Sequence, residues 1–235
     1  MPDSKFFRPG LVGLILGVVS IEMVMVSAWS YRQGWWPVLQ ALSFSEYAVY
    51  VAGLGVLLSL LALVVRRRGR VLAVIGLLVS LPVLVMGIGW DYATRTTPPI
   101  NDISTDTQDP PVFWETPTPT DYPAANAGPQ RAAYPRVVPL DLPVPAAEAF
   151  DLAADLVRAR GWEILSEDGV QIEAVATSFL YGFPDEVVIR VSETDTGARI
   201  DMRSRSRIGQ IDRGANARRI TAFLDDLASR AGAAR

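Results

Sequence analysis

Residues 11–29 read LVGLILGVVSIEMVMVSAW, and two further apolar runs follow at residues 47–65 and 71–90. A helix needs roughly 20 such residues to cross the hydrocarbon layer, because each residue advances the helix by about 1.5 Å. None of the runs shows the polar stripe that a surface helix of a soluble protein carries. The sequence therefore predicts three transmembrane helices, at about residues 10–30, 45–65 and 71–90.

The charges that flank these helices predict their orientation. A short basic loop, RRRGR at residues 66–70, joins the second helix to the third, and Lys5 and Arg8 precede the first. Basic loops of this kind stay on the cytoplasmic side. We therefore expect a multi-pass protein of the bacterial cytoplasmic (inner) membrane, with a cytoplasmic N-terminus and a periplasmic C-terminal domain. A cleaved signal peptide ending near Ala28 is the alternative for the first helix, and it too would leave that domain outside.

Glu22 lies inside the first predicted helix, where a carboxylate is costly because the hydrocarbon layer holds no water. We favour a neutral side chain that is hydrogen-bonded within the helix bundle; a relay or ligand contact and a contact with another protein's helix are the alternatives. Gly13 and Gly17 on the same helix form a G-x-x-x-G pattern, which allows close helix packing. We expect the first helix to help bind another membrane protein.

The two halves of the chain differ in charge. Residues 1–90 hold seven basic and three acidic side chains, a net charge of +4, whereas the other 15 basic and 22 acidic side chains give −7. This acidic half argues against a nucleic-acid partner, which would require a positive field.

The chain has no cysteine and no histidine, which excludes thiolate nucleophiles, Ser-His pairs and the commonest metal ligands. We expect no cofactor and no metal.

Residues 93–145 are rich in proline, which opposes both regular helix and central strand. We predict an extended tether, partly in the polyproline conformation, between the membrane helices and a C-terminal domain. Several apolar side chains indicate that parts of the tether pack on that domain. They are Val112, Phe113, Trp114, Tyr122 and Tyr134.

Residues 146–235 alternate between helix and strand patterns. A helix is predicted between Pro145 and Gly161, and a second one at about residues 212–230. Turns that contain glycine or aspartate separate four strands between them, at residues 162–166, 170–180, 186–192 and 198–208. The predicted fold class is thus a membrane-anchored α+β protein, in which both helices cover one face of a mostly antiparallel sheet.

Three separated segments of the C-terminal half resemble a known family. They are PPINDISTDTQDPP at residues 98–111, ATSFLYGFPDEVVIRV at 176–191 and IDMRSRSRIGQIDRGANARRI at 200–220. The residues of these segments and their order along the chain resemble the bacterial and plastid family called domain of unknown function 1499, over about residues 93–231. The resemblance implies the fold of that domain; it assigns no activity and no catalytic residue.

The last predicted strand carries a row of arginines on one face, since alternate residues of a strand point the same way. The row can pair with carboxylates such as Asp201, Asp212, Asp185 or Glu186, or it can bind an anionic group. The turn that opens the last helix adds free backbone N–H groups and a favourable helix dipole. The candidate anion- or partner-binding residues are Arg203, Arg205, Arg207, Asp212, Gly214, Asn216 and Arg218.

Asp102, Ser104 and Asp106 have the spacing of the first ligands of a calcium loop. The turn glycine and the closing glutamate of such a loop are missing, however, because Thr107 and Phe113 occupy their positions. We therefore expect turns and hydrogen bonds that fix this segment, rather than a metal site.

Three functions remain open at this point. We favour a non-catalytic membrane-anchored accessory or scaffold protein, which presents an extracytoplasmic domain to a larger membrane protein complex. The alternative is a binding module for an anionic lipid or a small anionic ligand. A hydrolase built from carboxylates and arginine is the second alternative, although no motif supports it.

Overall fold

A computed structural model describes residues 8–65, 69–116 and 121–233 of the chain. Contacts divide the chain into two compact units, Met1–Tyr92 and Ala93–Arg235. Lys5 and Arg66–Arg68, on which the predicted orientation depends, lie outside the described residues.

The N-terminal unit is built from three long helices. They are α1 (Pro9–Arg32), α2 (Val38–Val65) and α3 (Arg70–Thr96). All three are long and apolar enough to cross a membrane, by length and composition. The helix α2 begins earlier than predicted and α3 continues further, and Pro82 lies inside α3 without ending it.

Small residues bring these three helices close together. The side of α1 that faces the other helices carries Gly10, Gly13 and Gly17. A Cβ atom added at Gly13 would lie 2.9 Å from the carbonyl oxygen of Gly55 in α2, which is closer than real contacts allow. A Cβ atom at Gly17 would lie 3.1 Å from the backbone nitrogen of Ser80 in α3. The predicted G-x-x-x-G pattern therefore packs within this chain, and the opposite side of α1 faces outward.

The C-terminal unit combines one sheet with three helices in its described part. The strands are β1 (Asp102–Ser104), β2 (Leu140–Leu142), β3 (Glu163–Glu167), β4 (Gln171–Thr177), β5 (Pro184–Thr194) and β6 (Gly197–Ser206). The helices are α4 (Ala127–Ala133), α5 (Ala146–Ala159) and α6 (Ala215–Arg230), and a 3₁₀ turn at Ala124–Asn126 precedes α4.

All strand pairs are antiparallel, and the strand order is β1-β6-β5-β4-β3, with β2 also paired to β6. The predicted antiparallel α+β fold is thus confirmed for this unit. The predicted number of strands was wrong, since the sheet has six strands and not four. Both additional strands, β1 and β2, come from the segment predicted to be a tether.

The hydrophobic core lies between one face of the sheet and the helices α5 and α6. Ile200 and Met202 of β6 and Phe223 of α6 are fully buried there. These positions fit the pattern of each element, because apolar residues alternate along β6 and recur every three or four residues along α6. Both helices therefore cover the same face, as the sequence predicted.

The opposite face of the sheet is polar and is covered by the segment 105–116, which follows β1. Phe113 of this covering segment is fully buried, whereas Val112 and Trp114 on either side are exposed. The segment thus docks on the domain through Phe113, and not through Val112 or Trp114, which the sequence grouped with it.

Candidate functional site

The polar face of the sheet holds the row of arginines that the sequence singled out. It is formed by Asp102 of β1, Glu173 of β4, Glu186 of β5, and Asp201, Arg203 and Arg205 of β6. These six residues are buried, although each carries an ionisable group. Burial of so many charges is stable only if each group is paired or hydrogen-bonded.

Arg203 is at the centre of the polar face, and its side chain has no exposed surface. Its Nε and Nη2 atoms donate to the two carboxylate oxygens of Asp102 at 2.9 and 2.7 Å, and its Nη1 atom donates to the carbonyl oxygen of Pro111 at 3.1 Å. The ring of Phe113 lies 4.9 Å from the guanidinium carbon. All three nitrogens of the Arg203 guanidinium therefore donate to groups of the same chain.

Arg205 and Arg207 share one carboxylate, that of Glu186. The Nε atom of Arg205 donates to one oxygen at 2.9 Å, and the Nε atom of Arg207 donates to the other at 3.0 Å. Phe113 also stacks on Arg205, with 4.5 Å between the ring centroid and the guanidinium carbon. Glu186 is one of the carboxylates that the sequence suggested as partners, whereas Asp102 was not among them. Arg207 keeps 33 % of its side-chain surface exposed.

Glu173 and Asp201 attach the covering segment to the polar face. Glu173 accepts hydrogen bonds from the backbone N–H groups of Trp114 and Glu115, the second at 3.1 Å. Asp201 accepts a hydrogen bond from the hydroxyl of Thr105 at 3.2 Å, and Arg199 donates to it at 3.1 Å. That bond to Asp201 is the main reason why the pKa of Arg199 is raised. The carboxylates thus fix the covering segment over the arginines.

Asp106 closes a tight turn in the same segment. Its carboxylate accepts hydrogen bonds from the backbone N–H groups of Gln108 and Asp109, at 2.8 and 3.0 Å, and from Arg199. Partial burial acts to raise the pKa of Asp106, but these hydrogen bonds and the charge of Arg199 outweigh it and hold the pKa below its ordinary value. The calcium-like spacing therefore corresponds to a turn of the kind predicted, and no cluster of three possible metal ligands occurs among the described residues.

The start of α6 binds a carboxylate of the chain itself. The two oxygens of Asp212 accept hydrogen bonds from the backbone N–H groups of Gly214 and Asn216, both at 2.8 Å. Gly214 has a φ of +76°, a left-handed conformation that glycine adopts without a steric penalty. Burial raises the pKa of Asp212, and the two N–H groups oppose that shift. The predicted anion position is thus occupied by Asp212.

The candidate residues lie on both sides of β6 and form two clusters. Asn216 is fully buried, and its side chain bonds to Ser204 and Ser206 on the helix side of the strand, at 2.8 and 3.0 Å. Arg218 donates to the carbonyl oxygen of Arg213 at 3.0 Å. Because neighbouring residues of a strand point to opposite faces, the arginine row and the start of α6 do not meet at one site.

Glu22 differs from these groups because its side chain is exposed on the surface of the N-terminal unit. No hydrogen bond or ion pair to Glu22 occurs within the described parts of the chain. The favoured prediction, a hydrogen bond inside the three-helix bundle, is therefore not what the structure has. The reason is geometric, since the inner side of α1 near its middle is occupied by Gly17, Ser20 and Val24, whereas Glu22 lies on the exposed side.

The fold and the polar face define a protein with three long apolar helices followed by an antiparallel α+β domain, whose buried charges are satisfied internally. A family model described as "Protein of unknown function (DUF1499)" matches residues 102–227. The chain belongs to this family, as the three quoted segments predicted. The comparison with curated proteins gave no match.

Proposed function

We propose that this protein is a non-catalytic accessory or scaffold subunit, which is anchored in a membrane by α1, α2 and α3. It presents its C-terminal domain to a larger membrane protein complex, and α1 is the helix that binds the partner. The observation that carries the proposal is the exposure of Glu22 on the outward side of α1.

Glu22 is the middle of an exposed stripe on α1. The other members are apolar and follow at alternating intervals of three and four residues: Ile15, Val18, Met25 and Trp29, which are 51, 42, 57 and 59 % exposed. Such intervals place side chains on one side of a helix, which is the spacing of a helix–helix packing seam. A single polar residue within a seam fixes the register of the two helices.

The partner that fits this stripe is a membrane helix with a hydrogen-bond donor near its midpoint. A carboxylate that faces lipid at mid-helix is unfavourable by about 2.5–3.5 kcal/mol on the translocon scale. A donor on a second helix would remove most of this penalty, while the four apolar residues would supply packing. A second copy of this chain would place an identical acid at the same height, and two such groups repel each other when both are ionised, so we assign the donor to a different protein.

The polar face of the C-terminal domain also favours an accessory role over an anion-binding role. Arg203 and Arg205 already bind Asp102 and Glu186, and the covering segment separates them from solvent. Binding of an anionic lipid or metabolite to these two arginines would require both ion pairs to open. The domain is therefore proposed to act through its outer surface.

We further propose a bacterial cytoplasmic (inner) membrane location with the C-terminal domain in the periplasm. The support for it is the basic sequence at residues 66–70, which favours the cytoplasm for the connection between α2 and α3. With three spans, a chain whose N-terminus is cytoplasmic has its C-terminal domain on the other side.

Replacement of Glu22 tests the accessory role. The full chain and its variants are purified in mild detergent at matched expression, and co-purifying membrane proteins are quantified by mass spectrometry. We expect Glu22→Leu to reduce one specific partner by tenfold or more, since a 1.4 kcal/mol loss corresponds to tenfold. Glu22→Gln keeps a hydrogen-bonding group and is expected to retain most of that partner.

The matched control is Leu57→Ala on the exposed side of α2, which should leave the partner bound. In the partner, replacement of the donor residue opposite Glu22 should cause the same loss as Glu22→Leu, with little further loss in the double variant. Equal recovery of every membrane protein by wild type and Glu22→Leu would overturn the proposal. Recovery of this chain alone, as an oligomer, would replace the accessory role with self-association.

A further inference from the structure

The loop between β4 and β5 presents an aromatic side chain to the outside. Phe179 is 94 % exposed, more than any other large apolar side chain of the C-terminal unit that the structure describes. The surrounding segment, SFLYGFP at residues 178–184, contains no charged residue. Exposure of one phenylalanine is common, so what distinguishes this loop is that no charged side chain accompanies Phe179 at its tip.

The loop holds this conformation through its own hydrogen bonds. The backbone N–H of Ser178 donates to the carbonyl oxygen of Phe183 at 2.9 Å, and the N–H of Gly182 donates to the carbonyl oxygen of Ser178, also at 2.9 Å. The hydroxyl of Ser178 also accepts the N–H of Phe183 at 2.9 Å. Behind the loop tip, the rings of Tyr181 and Phe183 stack with 5.0 Å between their centroids. The exposure of Phe179 is therefore a property of an ordered loop.

This loop lies at the end of the sheet where the chain arrives from α3. The carbonyl oxygen of Asn101, the last residue before β1, accepts the N–H of Ser206 at 2.9 Å. Ser206 pairs with Asp185 in β5, and the adjacent pair of β5 with β4 is Pro184 with Thr177. Thr177 immediately precedes the loop. Four strands thus bring the entering chain and the aromatic loop to the same end.

The connection from α3 to this end is short. Only residues 97–101 separate the end of α3 from the start of β1. Five extended residues reach about 18 Å at most. The apolar run of α3 ends at residue 90, and the six further residues of the helix add about 9 Å. With that run in the bilayer, this end of the sheet stays within about 27 Å of the headgroups.

We propose that the loop at residues 178–183 inserts Phe179 into the bilayer interface and so holds the C-terminal domain against the membrane. This inference rests on the membrane anchoring that forms part of the proposed function. Removal of a phenylalanine side chain from water is favourable, and phenylalanine is among the apolar residues that interfacial segments bury at the headgroup boundary. The short connection restricts the domain to the neighbourhood of the bilayer, so little further entropy is lost.

Spin labels on single cysteines test the insertion, because the natural chain has no cysteine to remove. Phe179→Cys and Leu180→Cys are labelled in the full chain in phosphatidylcholine–phosphatidylglycerol vesicles. Relaxation by oxygen, which concentrates in lipid, is compared with relaxation by a water-soluble nickel chelate. We expect the ratio of oxygen relaxation to nickel relaxation to be severalfold higher for both labels than for a control label in the aqueous phase. The Leu180→Cys variant keeps Phe179 in place.

Val170→Cys is the matched aqueous control, since Val170 is also apolar, is 56 % exposed and lies at the other end of β4. Leu57→Cys is the lipid control, because Leu57 is 61 % exposed and lies near the middle of the apolar run at residues 47–65. Labels at residues 179 and 180 that behave like the label at Val170, while Leu57 reports lipid, would overturn this inference and leave the membrane anchoring intact. An aqueous signal at Leu57 as well would overturn the anchoring itself.

Discussion

Arg203 shows how one side chain can organise a buried polar surface. Its guanidinium fits the two oxygens of Asp102, a carbonyl group of the covering segment and the ring of Phe113 at the same time. A bidentate arginine–carboxylate pair of this kind is both stronger and more directional than a single contact. Arg203 therefore joins β6, β1 and the covering segment.

Replacement of Arg203 by alanine is expected to lower the free energy of unfolding of the C-terminal domain by about 3–5 kcal/mol. The loss is large because it leaves the Asp102 carboxylate, only 3 % exposed, without its counter-charge. The measurement is thermal or urea unfolding of the full chain in detergent, followed by near-ultraviolet circular dichroism.

Arg136→Ala is the control for this prediction. Arg136 pairs with Asp225, but its side chain is 69 % exposed, and exposed ion pairs contribute about 0–1 kcal/mol. A loss at Arg203 no larger than the loss at Arg136 would contradict the view that the buried pair stabilises the polar face.

The sequence revealed the arginine row but not the partner of its central residue. Alternation along β6 is a local pattern, so the shared face of Arg203 and Arg205 could be predicted from the three consecutive residues 203–205. Asp102 lies 101 residues away from Arg203, and no local pattern relates the two. Asp102 instead attracted notice through its calcium-like spacing to Ser104 and Asp106, which belongs to the turn that follows β1.

At the scale of the element, the proline-rich segment is a part of the domain. The four long strands and the two long helices could be predicted because each has a sustained apolar period or a clear turn at its end. The strands β1 and β2 contain three residues each, too few to show alternation, and they are surrounded by prolines. Their pairing to β6 comes from tertiary contacts alone, which is why the sequence indicated a tether.

The small residues on the inner side of α1 give the element-scale prediction. Gly13→Ala is expected to destabilise the three-helix unit by about 1–3 kcal/mol, because the new methyl group would collide with the backbone of α2. Its nearest backbone contact, 2.9 Å to the carbonyl oxygen of Gly55, cannot be relieved by rotation of a side chain. The measurement is the midpoint of thermal aggregation of the purified full chain in detergent.

Gly89→Ala in α3 makes the same chemical change where an added Cβ atom would meet nothing within 4 Å. This variant should match the wild type or exceed it slightly, because alanine favours helix more than glycine does. Equal midpoints for the Gly13 and Gly89 variants would show that the helices do not pack through this seam.

At the scale of the whole molecule, the chain separates two kinds of polar group. The C-terminal domain satisfies its buried charges internally, through Arg203, Glu186 and their neighbours. The N-terminal unit instead leaves Glu22 exposed in a helix that is apolar enough to span a membrane. Unsatisfied polar groups are costly in lipid. For this reason the proposed partner-binding surface is on α1, and the polar face is proposed to have a structural role.

The proposed topology makes a prediction about the whole chain. With three spans and a cytoplasmic N-terminus, Val170→Cys should react with a membrane-impermeant maleimide in intact spheroplasts, because that residue is exposed on the C-terminal domain. Ser4→Cys should react only after the membrane is permeabilised.

Exchange of the four arginines in residues 66–70 for serine should make Ser4→Cys partly reactive in intact spheroplasts, since the charge bias that retains this loop in the cytoplasm is lost. Labelling of Ser4→Cys but not of Val170→Cys in otherwise unaltered chains would show the opposite orientation, and with it a cytoplasmic partner for the domain.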